Sequence, residues 1–96
     1  MPQFRNRPVD LVVDVRSKVE FFLGHLDGAV NIPVDRIAEA LPARPDVPKH
    51  AHILVYCASG GRSAQAAAIL KQLGYSRVVD GGGLHDARQH YAAARA

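Results

Sequence analysis

Cys57 is the only thiol in this chain, and its neighbours are suited to nucleophilic chemistry. In "VYCASGGRSAQ" (residues 55–65) it closes an apolar run, and Ala58, Ser59, Gly60 and Gly61 separate it from Arg62 and Ser63. Such small residues let the backbone curl until several N–H groups converge, forming a nest for an anion. The stripe Ala66, Ile69, Leu70 and Leu73 predicts a helix over 63–73,. Its N-terminal partial positive charge and unpaired N–H groups then face the same space. Both effects favour a thiolate, with a pKa below the free value of about 8.5. Arg62 adds a permanently charged fork of donors for an oxyanion. The competing reading is a structural thiol, since free cysteine packs as a small hydrophobe. A cysteine followed by small residues, an arginine and a helix is a narrower pattern, and it favours the nucleophile.

Strand-like and helix-like segments alternate around this loop. "VDLVVDV" (9–15) is a β-branched run of strand length,. Ser17 and Glu20 have the spacing of a capping box, so a short helix is expected from Lys18, with Gly24 as its stop,. "GAVNIP" (28–33) reads as a short buried strand ended by Pro33, and Val34, Ile37, Ala38 and Leu41 mark a helix face that Pro42 terminates,. "PARPDVPKH" (42–50), with three prolines, is a surface connection, and "HILVYC" (52–57) is the strongest strand signal,. Gly74 is the expected C′ residue after the 63–73 helix, and "RVVD" (77–80) is a fourth strand,. "GGG" (81–83) then turns the chain into a last helix over roughly 84–95,. Near-continuous apolar strands alternating with helices predict a mainly parallel sheet covered on both faces, a three-layer α/β/α sandwich. Its ligands bind beyond the carboxyl ends of the strands, where Cys57 falls.

Ninety-six residues fit a single domain over 1–96,. Alanine supplies 15 of the 46 hydrophobic positions, so 11 Val, 8 Leu and 4 Ile must build the core,. One cysteine forms no internal disulfide, and clustered zinc ligands are absent, which leaves no metal site,. No apolar stretch is long enough to span a membrane, and "MPQFRNRPVD" lacks the apolar region of a signal peptide,. A cytoplasmic protein is therefore expected. The net charge of +3 comes from scattered arginines and lysines without a basic run, so nucleic acid is not the expected partner,.

Other polar residues invite weaker readings. Asp14 and Arg16 end a strand near the expected catalytic edge, where an ion pair fixing the loops is favoured over substrate contact,. His25 is read as structural, because a thiolate already stabilised by a nest needs no base. His50 and His52 have no third metal ligand nearby in sequence, and His85 and His90 are spaced off a common helix face,. The triple glycine lacks the dinucleotide fingerprint, and "SGGRS" lacks the lysine of a phosphate-binding P-loop,.

"YCASGGRSAQAAAILKQLGY" resembles the active-site loop and following helix of the rhodanese family of sulfurtransferases. "VVDVR" (12–16) is similar to that family's first strand, "GHLDGAVNIP" (24–33) to its His-x-x-Gly-Ala-x-Asn-Ile-Pro segment, and "GGGL" to the Gly-Gly before its last helix. The resemblance runs in order over roughly residues 10–90, and single-domain bacterial thiosulfate sulfurtransferases are the kind it suggests. It implies that Cys57 takes the sulfane sulfur of thiosulfate, or a related small anionic donor, as a persulfide. A thiol or cyanide then accepts that sulfur. Residues Ala58, Ser59, Gly60, Gly61, Arg62 and Ser63 would form the substrate loop, supported by Asp14 and Arg16, with no cofactor. The chain departs from the pattern by having no tryptophan after the Gly-Gly turn, where it reads "LHDA" (84–87). Ninety-six residues leave no room for the partner domain of tandem members, so one pocket wall is expected to be open or supplied by a second subunit,. A monomer or weak homodimer follows. Two competing functions are a phosphatase or arsenate-reductase-like enzyme with a Cys–Arg loop, and a non-catalytic partner-binding module of the same fold.

Overall fold

The computed structural model describes residues 2–93. In chain order the elements are β1 (Gln3–Phe4), β2 (Arg7–Pro8), β3 (Leu11–Asp14), α1 (Lys18–Phe22), β4 (Val30–Asn31), α2 (Ile37–Ala40), β5 (His52–Cys57), α3 (Gly61–Gln72), β6 (Arg77–Gly83), α4 (Leu84–His90) and β7 (Tyr91–Ala92). Four strands form a parallel sheet in the order β4-β3-β5-β6. Strand β5 lies inside it and is buried on both faces, which is why "HILVYC" reads as a continuous apolar run,.

Side chains alternate across these strands and sort themselves into two cores. Val13, Val15, Ile53, Val55 and Cys57 face α2 and α3, packing with Ile37, Leu41, Ala66 and Leu70. Val12, Leu54 and Tyr56 face the other way, toward Phe4, Val9, Leu26 and Ala87 of α4. The expected α/β sandwich with a mainly parallel sheet is present, and its helices pack on opposite sides of one sheet.

Several boundaries differ from the sequence reading. The predicted 9–15 strand is regular only over Leu11–Asp14, and the predicted 28–33 strand only over Val30–Asn31. Helix α2 is one turn, because Pro33 and Val34 close hydrogen-bonded turns onto Arg36 and Ile37 before the helix begins. Helix α3 starts at Gly61 rather than 63: Gly60 takes φ 108°, so the chain reverses there and the helix follows at once,. Its other end has the geometry expected of Gly74, which has φ 97°. The Gly74 N–H donates to the Lys71 carbonyl and the Tyr75 N–H to the Leu70 carbonyl, a Schellman closure,.

The triple glycine is the end of β6 and not a turn, with Gly83 as the N-cap of α4. The last helix stops at His90, because Tyr91 and Ala92 extend to pair antiparallel with Phe4 and Gln3. The remainder of the predicted helix, residues 94–95, lies outside the described residues. Strand β1 also pairs with β2 through a two-residue turn in which Arg5 (φ 50°) and Asn6 (φ 65°) are both left-handed,. Asparagine suits that conformation, whereas arginine costs about 1 kcal/mol there. Sequence periodicity gave no sign of this small β2-β1-β7 sheet, whose strands are two residues each.

Candidate active site

Strand β5 delivers Cys57 to its carboxyl end, and only Ala58, Ser59 and Gly60 lie between it and α3. The cysteine is 1% exposed. Its Sγ accepts the Gly60 N–H at 2.9 Å and donates to Ser63 Oγ at 3.5 Å, while that hydroxyl donates to the Gly60 carbonyl at 3.0 Å. When the sulfur is ionised, the rotatable Ser63 O–H is placed to turn its proton to it instead. Burial pushes the Cys57 pKa up. The Ser63 hydroxyl and the backbone N–H groups of Ser63, Gly60 and Ser59 outweigh that and hold it below the ordinary thiol value,. Gly61, Arg62 and Ser63 belong to the first turn of α3, so the sulfur sits at the positive end of a twelve-residue helix,.

Gly83 forms a wall of this loop. It pairs with Cys57 across the sheet, and a Cβ built on it would lie 2.6 Å from the Ala58 carbonyl oxygen. No side chain fits between β6 and the loop. That function was missed in the sequence, where the glycines read only as a turn.

Arg62 reaches α1. Its Nη1 and Nη2 donate to Glu20 Oε1 and Oε2 at 2.6 and 2.9 Å, a bidentate pair between side chains that are partly exposed. Two of the five guanidinium N–H groups are thereby used, and three remain,. The Arg62 hydrogen bonds, followed by that of the Ser17 N–H, hold the Glu20 carboxyl well below its ordinary 4.5, to about 2. The same carboxylate closes the capping box of α1, accepting the Ser17 N–H at 3.1 Å, while the Glu20 N–H donates to Ser17 Oγ at 3.3 Å. The capping signal was legible in the sequence; the partnership with Arg62 was not.

Asp14 and Arg16 form a buried pair at the end of β3, 0% and 6% exposed. Arg16 Nε and Nη2 donate to the Asp14 carboxylate at 3.0 and 2.7 Å, and Nη2 also donates to the Gly24 carbonyl at 2.5 Å. The pair thus ties both ends of the 16–24 segment, which carries α1 and Glu20. Asn31 Nδ2 donates to the Asp14 and Arg16 carbonyls at 3.0 Å each, fixing β4 against it. His25 stacks on Phe21 at 3.6 Å and donates from Nδ1 to the Phe21 carbonyl at 2.8 Å, an anchor for the same segment. Of the other histidines, His52 begins the strand that Cys57 ends, and His85 and His90 are exposed on α4.

Comparison with known proteins places this geometry in a wider group. The rhodanese-like domain family matches residues 3–84. The thiosulfate sulfurtransferase PspE of Escherichia coli is 41% identical over 78 residues, covering 77% of this chain and 70% of that protein. The tRNA uridine(34) hydroxylase of Yersinia enterocolitica is 34% identical over 91% of this chain, which spans only 26% of that longer protein. A solved structure of a rhodanese with anions from E. coli superposes with a TM-score of 0.73 at 32% identity, covering 88% of this chain and 98% of that one. A human single-domain sulfurtransferase gives a TM-score of 0.66 at 27% identity, covering 76% and 74%. With its buried thiol at the head of α3 and a family match over most of its length, this chain belongs to the rhodanese-like family.

Proposed function

We propose that the protein is a sulfurtransferase that moves a sulfane sulfur from thiosulfate through a persulfide on Cys57. The observation that carries this reading is a buried thiol at the head of α3 whose sulfur accepts the Gly60 N–H at 2.9 Å and lies 3.5 Å from the Ser63 hydroxyl. Backbone and hydroxyl donors, rather than a neighbouring base, stabilise its thiolate. The Cys57 thiolate attacks the outer sulfur of thiosulfate; the sulfur–sulfur bond of the donor breaks, and its electron pair leaves with sulfite. The product is Cys57–S–S⁻. A thiolate or cyanide then attacks the terminal sulfur, and the Cys57 thiolate departs with its electron pair, restored. The N–H groups of the loop meet an anionic sulfur before and after each transfer, so the nest needs no rearrangement between the halves of the cycle. Arg62, with its plane set by Glu20, offers its remaining N–H groups to the donor's oxygens,.

The unit of function in this reading is one domain over residues 1–96, working on small anions, as a monomer or weak homodimer, in a reducing compartment such as the cytoplasm. No helix among the described residues is long and apolar enough to cross a membrane. The test is formation of thiocyanate from thiosulfate and cyanide by wild type and by Cys57→Ser. Activity in the wild type alone is expected, and equal rates in both would overturn the assignment. The likeness to a much longer hydroxylase, of which this chain spans 26%, favours a second reading, a domain that serves a larger modification enzyme. On that reading the isolated chain forms no thiocyanate.

A further inference from the structure

At the opposite end of the sheet from Cys57, a cavity of about 640 Å³ opens between the β1–β2 hairpin and the starts of β5 and β6. Cys57 is five residues further along β5 than His52, about 17 Å at the usual strand rise, so the cavity belongs to no part of the thiol site,. Its volume is within the range of about 300–1,000 Å³ typical of small-molecule sites. Phe4, Val9 and Ile53, all buried, line its apolar side. Arg5, Arg7 and Arg77 line it as well, and no acidic residue does.

Among the described residues, none of these arginines forms an ion pair. Arg77 Nη1 donates to His52 Nε2 at 3.0 Å, so a neutral acceptor orients it without cancelling its charge. The Arg5 guanidinium lies 5.5 Å from the Phe4 ring centre. Two carboxylates adjoin lining residues in sequence and are engaged elsewhere: Asp10 accepts the His52 backbone N–H at 2.8 Å and lines a different cavity, and Asp80 accepts the Gly82 N–H at 2.9 Å. Permanent positive charges lining an apolar wall, with no carboxylate paired to them among the described residues, match a ligand with an apolar body and a doubly charged head,.

We propose that this cleft binds a small organic phosphate monoester, its aromatic or apolar body against Phe4, Val9 and Ile53 and its phosphate among Arg5, Arg7 and Arg77. The site is independent of the sulfur chemistry assigned to Cys57. The probe is phenyl phosphate, titrated into the full chain while backbone amide resonances are followed by NMR. Saturable shifts are expected at Arg5, Arg7, Val78 and Val79, with inorganic phosphate binding at least about tenfold more weakly because it lacks the apolar body. The double variant Arg7→Ala/Arg77→Ala should lose at least about tenfold in affinity. Arg5→Gly should also weaken binding, and it introduces no backbone strain, since glycine is at ease at that φ,. Shifts confined to the Cys57 loop, no saturation at the cleft amides, or unchanged affinity in the double variant would each overturn the proposal. Equal affinity for inorganic phosphate would overturn it too.

Discussion

At Cys57 two effects oppose each other: burial disfavours the thiolate, and the Ser63 hydroxyl with the N–H groups of Ser63, Gly60 and Ser59 favours it by more. The rate of alkylation by iodoacetamide should therefore rise with pH through a midpoint below that of a free thiol. Ser63→Ala should move the midpoint up; an unmoved midpoint would show that the hydroxyl contributes nothing. On the proposed role of Arg62, binding the donor's oxygens by charge-assisted bonds, Arg62→Ala should raise the KM for thiosulfate about tenfold or more. Alkylation by a neutral reagent should change far less, and equal losses would mean that Arg62 only holds the loop. Glu20 gives a pH signature of its own. Its carboxyl is lowered from 4.5 to about 2 in the folded chain, so its contribution to stability is complete above the unfolded value and fades as pH falls toward 2,. The stability difference between wild type and Glu20→Gln should close over that window. The cysteine, its small neighbours and the capping box were legible because they are local in sequence. The Glu20–Arg62 pair was not, since 42 residues separate its members and each had a sufficient local explanation.

Elements position these groups by contacts that a one-dimensional pattern cannot carry. The strands of the parallel sheet were legible because burial on both faces leaves an unbroken apolar run. The antiparallel strands Gln3–Phe4, Arg7–Pro8 and Tyr91–Ala92 were not, because two residues show no period and Ala92 favours a helix until Phe4 and Gln3 pair with the chain,. The end of β6 teaches the same lesson: "GGG" looks like a turn, but Gly83 is required by the close approach of the Ala58 carbonyl. Gly83→Ala should push the Cys57 loop outward, lowering thiosulfate turnover by about tenfold or more while the circular dichroism of the sheet persists. Unchanged turnover would show that the loop tolerates the displacement. The segment carrying α1 depends instead on Asp14 and Arg16. Replacing Asp14 with Ala leaves a buried guanidinium unpaired and should cost about 3–5 kcal/mol in urea denaturation,.

Over the whole molecule, the parallel sheet gathers the thiol, the helix N-terminus and Arg62 at one end and leaves the arginine-lined cleft at the other. Loop length then bears on which chemistry the thiol end performs. Cysteine-dependent phosphatases space five residues between Cys and Arg. Here four lie between Cys57 and Arg62, and α3 has already begun at the fourth, Gly61. A phosphoryl group needs donors around three oxygens at about 2.7–3.1 Å, whereas a persulfide presents one outer sulfur. Hydrolysis of p-nitrophenyl phosphate should accordingly be negligible, and efficient Cys57-dependent hydrolysis would replace sulfur transfer with phosphatase chemistry. The most direct test of the central claim is the mass of the intact protein before and after thiosulfate, and again after cyanide. The account predicts a gain of one sulfur atom, located on Cys57, complete removal by cyanide, and no gain in Cys57→Ser. A wild-type mass unchanged by thiosulfate, or a sulfur gained equally by Cys57→Ser, would contradict it.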